Sequence, residues 1–399
     1  MSNISTPFTK DQLIPQEERL EITRTSRDLI IGIPKENQEI ERRICLTPDA
    51  VAAITAHGHK IIIEKGAGLG SNFTDQDYIN AGGEITSDKN KVFSCPMVLK
   101  VAPPSLDEID LLKPNATLFS GLQLKTRSKA YFKKLASKKI TALAYEFITD
   151  ESGRFTAVNA LREISGIASV LIASELLATG SNRTGQLFGN ITGVPPVDVV
   201  ILGAGVIGEF AARTAQGLGA TIKVFDNSIT NLRRIQDRVG NHIYTSTIQP
   251  KYLAKALRRC DVAIGALSGE DRTPVVVSQP MVENMKSGAV IIDTSIDMGG
   301  CFETSELTTH SSPTYDKFNI THYCVPNLPS RYSRTATISL SNIFTPYLLN
   351  IGGDGGIEHT LRTDKGLKCS VYLYHGILTN KSVGQWYDLP HSDVNLLIF

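Results

Sequence analysis

With 41 Lys and Arg set against 40 Asp and Glu, this 399-residue chain has no charge surplus with which to hold a polyanion, and no basic block is interleaved with aromatics. Nucleic acid and anionic membrane surfaces are thereby excluded as expected partners. No apolar run approaches the ~18 residues of a membrane span, and the opening residues lack a signal-peptide core, so a cytoplasmic protein with room for two sizeable domains is expected.

Residues 1–28 are polar, with helical character only around 16–25, and are expected to be a surface extension and not a domain. From Leu29 the apolar run L-I-I-G-I-P reads as a strand. Thr47-Pro48-Asp49 starts a helix, because Thr can cap free N–H groups and Pro suits the first turn; Gly58 ends it, and H-K-I-I-I-E-K-G returns as a strand. His57 and His59 flank that turn and are expected to be solvated. Further apolar runs at 96–101, 116–119 and 141–145 alternate with helical stretches such as 127–138. That alternation argues for a mainly parallel sheet over residues 29–155. A long helical stretch rich in small residues, 157–179, is expected to cross to a second domain, and the glycine-rich loop 180–196 delivers the chain to it.

The second domain opens on V-V-I-L-G-A-G-V-I-G, followed by a helical pattern and a second apolar run that ends at Asp226. Strand, glycine turn, helix and strand each have a physical task. Gly203 permits the tight turn, Gly205 lets backbone N–H groups approach a pyrophosphate, and Gly208 lets the helix pack on the strand. Val206 begins that helix, whose N-terminus offers unpaired donors to phosphate. Asp226 can accept both ribose hydroxyls and would repel a 2′-phosphate, so NAD is the expected cofactor in preference to NADP. Strands at 260–266 and 289–294 continue the pattern, which places Leu267 on a loop facing the cofactor. A Ser/Thr-rich helical run at 335–349 and the turn 352–356 lead to a tail expected to pack back on the first domain. The six cysteines are scattered without a C-x-x-C, so neither a disulfide framework nor a metal site is expected.

Several long blocks resemble the alanine dehydrogenase and transhydrogenase alpha-subunit family over roughly residues 30–380: I-G-I-P-K-E…R-I-C-L-T-P, E-K-G-A-G-L-G-S-N-F-T-D-Q-D-Y-I-N-A-G-G-E-I, V-I-I-D-T-S-I-D-M-G-G and H-Y-C-V-P-N-L-P-S-R-Y-S-R-T-A-T. The resemblance implies an α/β chain of two domains. A Rossmann-type NAD-binding domain (156–334) would follow a flavodoxin- or Rossmann-like substrate domain (29–155, completed by 335–399), with chemistry in the cleft. It also implies a homo-oligomer, as hexamers are usual in that family, acting on L-alanine, pyruvate and ammonia.

The same resemblance carries roles onto single residues. Arg43 matches the family's carboxylate anchor, and a guanidinium can hold a carboxylate through two parallel hydrogen bonds. Asp297 matches the acid that orients the amine or the attacking water, and Asn327 the contact at the nicotinamide-ribose end. Asp293 is expected to be structural. Two departures stand out. The family's K-V-K-E-P reads Lys100-Val101-Ala102-Pro103-Pro104 here, and its Y-L-H reads Gly121-Leu122-Gln123, with no histidine between His59 and His242. Gln123 can hydrogen-bond a carbonyl or a water but cannot exchange a proton near neutral pH. Lys100 or Lys125 could supply the missing charge, and Arg162 could pair with a phosphate. The expected function is NAD-dependent oxidative deamination of L-alanine to pyruvate and ammonia. The alternatives are a dehydrogenase of another amino or oxo acid, and a catalytically weak NAD-binding regulatory or transhydrogenase-like subunit.

Overall fold

The computed structural model describes residues 28–178, 183–240, 243–269 and 272–398; the expected N-terminal extension, short of Asp28, lies outside them, as does the side chain of Lys125. Fifteen strands occur among the described residues, in chain order β1 (Ile30–Ile33), β2 (Lys60–Glu64), β3 (Glu84–Thr86), β4 (Met97–Leu99), β5 (Thr117–Ser120), β6 (Thr141–Ala144), β7 (Asp198–Leu202), β8 (Thr221–Phe225), β9 (Tyr244–Ser246), β10 (Val262–Gly265), β11 (Val290–Asp293), β12 (Thr314–Lys317), β13 (Ile320–Tyr323), β14 (Val371–Tyr374) and β15 (Ile377–Leu378). They make two sheets, ordered β15-β14-β6-β5-β4-β1-β2-β3 and β12-β13-β11-β10-β7-β8-β9.

Both sheets are parallel except at one edge, where β14 runs antiparallel to β6 and to β15, and β12 runs antiparallel to β13. The α/β class with two Rossmann-like sheets is what the apolar runs and their helical spacers led one to expect. Parallel strands are covered by helices on both faces, so they read as unbroken apolar stretches. Val199 and Ile201 point into one layer of the second core, and Val200 and Leu202 into the other. In the first sheet Phe119 and Leu118 divide in the same way.

Two long helices join the units. The helix Thr156–Leu177 lies on the helix Val206–Gly217, and only glycine serves at position 166, where a Cβ would stand 2.5 Å from the Ile207 carbonyl oxygen. The helix Ser333–Gly353 covers the first sheet through Leu340, Phe344 and Leu348. Its hydroxyl content has a use. Thr337 Oγ1 and Ser341 Oγ accept the backbone N–H groups of Ile44 and Thr47, each at 3.0 Å, and Ser330 Oγ, on the turn before the helix, accepts that of Arg42 at 2.9 Å. Thr47 also caps the helix Pro48–Ala56, accepting from Ala50 N at 3.3 Å.

His59 departs from expectation. Its ring is buried, Nδ1 accepts from Leu29 N at 3.4 Å, and a Cβ at Gly352 would lie 2.2 Å from Nε2. A helix from the far end of the chain covers the turn that looked solvated. His57 does stay exposed.

Candidate active site

The glycine turn after β7 has the shape that its sequence calls for. Gly203 sits at φ 110°, with no room for a Cβ beside the Ala266 carbonyl at 2.4 Å, and a Cβ at Gly208 would meet Gly203 O at 1.9 Å. Gly205 differs, because a Cβ there would meet no protein atom within 4 Å. It is also the N-cap of the helix Val206–Gly217 and gives that helix no side-chain cap. Open space, free N–H donors and a positive dipole end thus coincide, which suits a pyrophosphate. At the end of β8, Asp226 accepts Ala204 N through Oδ2 and Ser228 N through Oδ1, each at 2.7 Å. Each oxygen keeps lone-pair capacity for a ribose hydroxyl. Leu267 follows β10, half-buried on the loop beside Gly203.

Across the cleft, Arg43 is buried and its fork is already engaged. Nε and Nη2 donate to Glu41 Oε1 and Oε2 at 2.7 and 2.6 Å, and Nη2 also donates to Asn327 Oδ1 at 2.8 Å. Nη1 is buried with no hydrogen-bond partner among the described residues. Burial alone would raise the Glu41 carboxyl, but the Arg43 guanidinium reverses this and holds it below the usual carboxylate range. Glu41 lies two residues before Arg43 and also accepts its backbone N–H through Oε1 at 3.0 Å. Nothing in the sequence marked Glu41 as that partner.

Asn327 joins the two domains. It adopts φ 52°, donates Nδ2 to Glu41 Oε2 at 2.9 Å, and donates its backbone N–H to Asp297 Oδ1 at 3.2 Å. Asp297 stands on the short helix Ile296–Met298 after β11, open to solvent at its surface but walled in by both domains. Desolvation in that cleft pushes its carboxyl up to about 6, against the opposing pull of the Asn327 N–H and Arg43. Asp293 makes only internal contacts, accepting Ser295 N, Cys301 N and Ser305 Oγ at 3.0, 3.0 and 2.7 Å.

Arg43, Asn327 and Asp297 are therefore brought together, whereas Lys100 is not free to join them. Its ammonium is buried between Glu36 Oε2 at 3.0 Å and Glu108 Oε2 at 3.5 Å. The burial that would lower its pKa is outweighed by those carboxylates, and the net shift is upward. The lysine is part of the first domain's framework, so it does not replace the cation absent at Ala102. Gln123 is exposed at φ 46°, just past the end of β5. Arg162 is exposed, with no hydrogen-bond or ion-pair partner among the described residues. One further residue went unnoticed in the sequence. His310 lies by Arg42, Glu41 and the Asn327 backbone, and its Nε2 is buried without a partner. Burial and the flanking guanidiniums of Arg42 and Arg331 hold the imidazole below its usual range. A groove of about 680 Å³ between the helices Pro48–Ala56 and Ser333–Gly353 contains none of the residues named for the chemistry.

The pattern described as "Alanine dehydrogenase/PNT, N-terminal domain" matches residues 32–168, and "Alanine dehydrogenase/PNT, C-terminal domain" matches residues 169–381. The chain belongs to the alanine dehydrogenase/PNT family. Among its relatives in that family, alanine dehydrogenase of Methanococcus maripaludis is 36% identical over 367 residues, covering 91% of this chain and 98% of the relative. Alanine dehydrogenase of Mycolicibacterium smegmatis is also 36% identical, over 92% and 98% of the two chains. A solved L-alanine dehydrogenase superposes with a TM-score of 0.83 at 32% identity, over 90% of this chain and 99% of that one. A transhydrogenase from Sinorhizobium meliloti shares the family fold, with a TM-score of 0.75 at 21% identity, over 88% of this chain and 99% of that one. Among the described residues, no helix is long and apolar enough to cross a membrane.

Proposed function

We propose that the chain is an NAD-dependent alanine dehydrogenase that converts L-alanine and water to pyruvate and ammonia, reversibly. The observation that carries this reading is the buried, unpartnered Nη1 of Arg43, held one residue away from an acid whose pKa lies near 6. A buried guanidinium nitrogen without an acceptor is costly, and the carboxylate of an amino acid satisfies it. Because Glu41 occupies the Nε–Nη2 edge, the substrate carboxylate is anchored at Nη1 and not through the two-bond fork expected from the sequence.

Gly203, Gly205, Val206, Gly208, Asp226 and Leu267 would hold NAD, which would supply the hydride acceptor. The residues of the chain do the rest. Asp297, ionised above pH ~6, takes the ammonium proton of alanine and so leaves a nitrogen lone pair to form the imine as the Cα–H bond breaks. After that first proton passes to solvent, it takes a proton from the water that attacks the iminium carbon, returns it to the carbinolamine nitrogen, and takes the hydroxyl proton as the C–N bond breaks, the carbonyl forms and ammonia leaves. Asn327 keeps Asp297 and Arg43 in register, and Gln123 hydrogen-bonds the attacking water or the forming carbonyl. A cytoplasmic homo-oligomer is part of the same reading, as are the domain limits 29–155 with 335–399, and 156–334.

A second reading has one specific observation in its favour. Ala102 is half-buried and Lys100 is held by Glu36 and Glu108, so neither of these positions supplies a free lysine, which favours a longer side chain than alanine's. Purified protein is to be given NAD and a panel of L-amino acids, with reduced nicotinamide followed by absorbance and NAD binding checked by calorimetry. Preferred turnover of alanine supports the first reading, and preferred turnover of a larger amino acid supports the second. NAD binding without turnover of any amino acid overturns both.

A further inference from the structure

Two glutamates lace the loops at the carboxyl ends of the first sheet's inner strands, and they do so at the two positions where this chain departs from its family. Glu36, which follows β1, accepts the N–H groups of Val101 and Ala102 after β4, through Oε1 at 2.7 and 3.3 Å. Glu146, which follows β6, accepts the N–H groups of Leu122 and Gln123 after β5, through Oε2 at 2.6 Å and Oε1 at 2.9 Å. Glu36 has Lys100 as its counter-ion. Glu146 has no ion-pair partner among the described residues, and no role in the chemistry described so far.

We propose that Glu146 is a positioning residue of the cleft: by taking two successive backbone N–H groups, one on each oxygen, it fixes the loop after β5 and with it the Gln123 amide. The loop needs such a restraint. Gln123 is held at φ 46°, a conformation that a β-carbon disfavours, and it opens the short helix Leu124–Thr126 without a side-chain cap. On the other flank, Gly121 N donates to Val101 O at 3.1 Å and leaves no room for a Cβ. The loop is thus tied at each end, and Glu146 is the tie nearest the exposed Gln123 side chain. Desolvation raises the Glu146 carboxyl, and the two N–H donors work against that rise to favour the charged form. The proposal rests on Gln123 touching water or substrate.

The test is Glu146→Gln, which keeps the size but leaves one acceptor oxygen and turns an NH₂ toward the other donor. Three readouts are taken on the whole chain: amide hydrogen exchange at residues 122 and 123, the kcat and KM for the amino acid best turned over, and the Kd for NAD by calorimetry. The expected result is faster exchange at those two amides, an unchanged Kd for NAD, and a kcat lower by roughly 10–100-fold, as a misplacement of ~1 Å can cause. In a cycle with Gln123→Ala, Glu146→Gln is expected to add no further loss, because both changes remove the same contact. Unchanged exchange overturns the clamp. Faster exchange with an intact kcat, or losses that multiply in the cycle, overturns its role in positioning Gln123. If Glu146→Gln does not fold, Glu146→Asp, which keeps the charge but shortens the reach, is read by the same measurements. A wild-type chain with protected amides and no turnover of any amino acid would instead overturn the dehydrogenase reading, and leave the clamp as a structural fact.

Discussion

Asp297 and Arg43 show how one residue's surroundings decide what it can do. An aspartate in water is fully ionised at pH 6, whereas the cleft raises Asp297 to about that value. Alanine oxidation is therefore expected to fall off as pH drops through about 6, where the base becomes protonated, and a pH profile of kcat/KM checks this. Asp297→Asn is expected to cost ~10²–10⁴-fold in kcat. The sign for stability is opposite. A carboxyl raised in the folded state binds protons more tightly there, so it stabilises at low pH and loses that contribution as pH rises through about 6. Asp297→Asn is accordingly expected to raise Tm at pH 8, as seen by calorimetry. Arg43→Lys keeps the charge but not the fork, leaving Glu41 and Asn327 short of donors. An increase of at least about tenfold in KM for the amino acid is expected, without a comparable change in the Kd for NAD. Of these two residues the sequence revealed only that they matched a family position. Nothing in E-R-R-I distinguishes an arginine whose fork is closed by its neighbour from one that is open, because that depends on which backbone covers it.

At the scale of elements, apolar runs and glycine spacing were legible because their causes are local. β7 had to be buried on both faces, and Gly203 and Gly208 had to lack side chains for the turn to close. The hydroxyl stripe of the helix Ser333–Gly353 was not legible in this way. Thr337 and Ser341 read as ordinary helix-surface residues, and their partners, the N–H groups of Ile44 and Thr47, lie nearly three hundred residues earlier. His59 was misjudged for the same reason, since Gly352 closes over it from the same distant helix. Gly352→Ala is expected to force that helix off the ring, lowering stability by about 1–3 kcal/mol and Tm with it. His59→Ala in the same chain should restore part of the loss, and thermal unfolding of the two single variants and the double variant checks this.

For the whole molecule, Asn327 is a link between the halves that runs through the site itself. It holds Glu41 and Arg43 of one domain with its side chain, and Asp297 of the other with its backbone. Asn327→Gly keeps the positive φ but loses the side-chain bonds. It is expected to lower kcat/KM for the amino acid by roughly 10–100-fold, and to change the scattering profile as the halves separate.

The edge of the first sheet has a consequence for how the chain is made. β6 is complete at Ala144, yet β14, its partner on that side, begins at Val371. At ~5–20 residues per second of synthesis, the backbone of β6 spends roughly 10–45 s as an open edge while the entire second domain is translated. During that interval the N–H groups of Ile44 and Thr47 also lack their acceptors. The chain's most exposed moment is thus on the ribosome, before its last few dozen residues are made, and a product that ends short of Val371 keeps that edge open permanently.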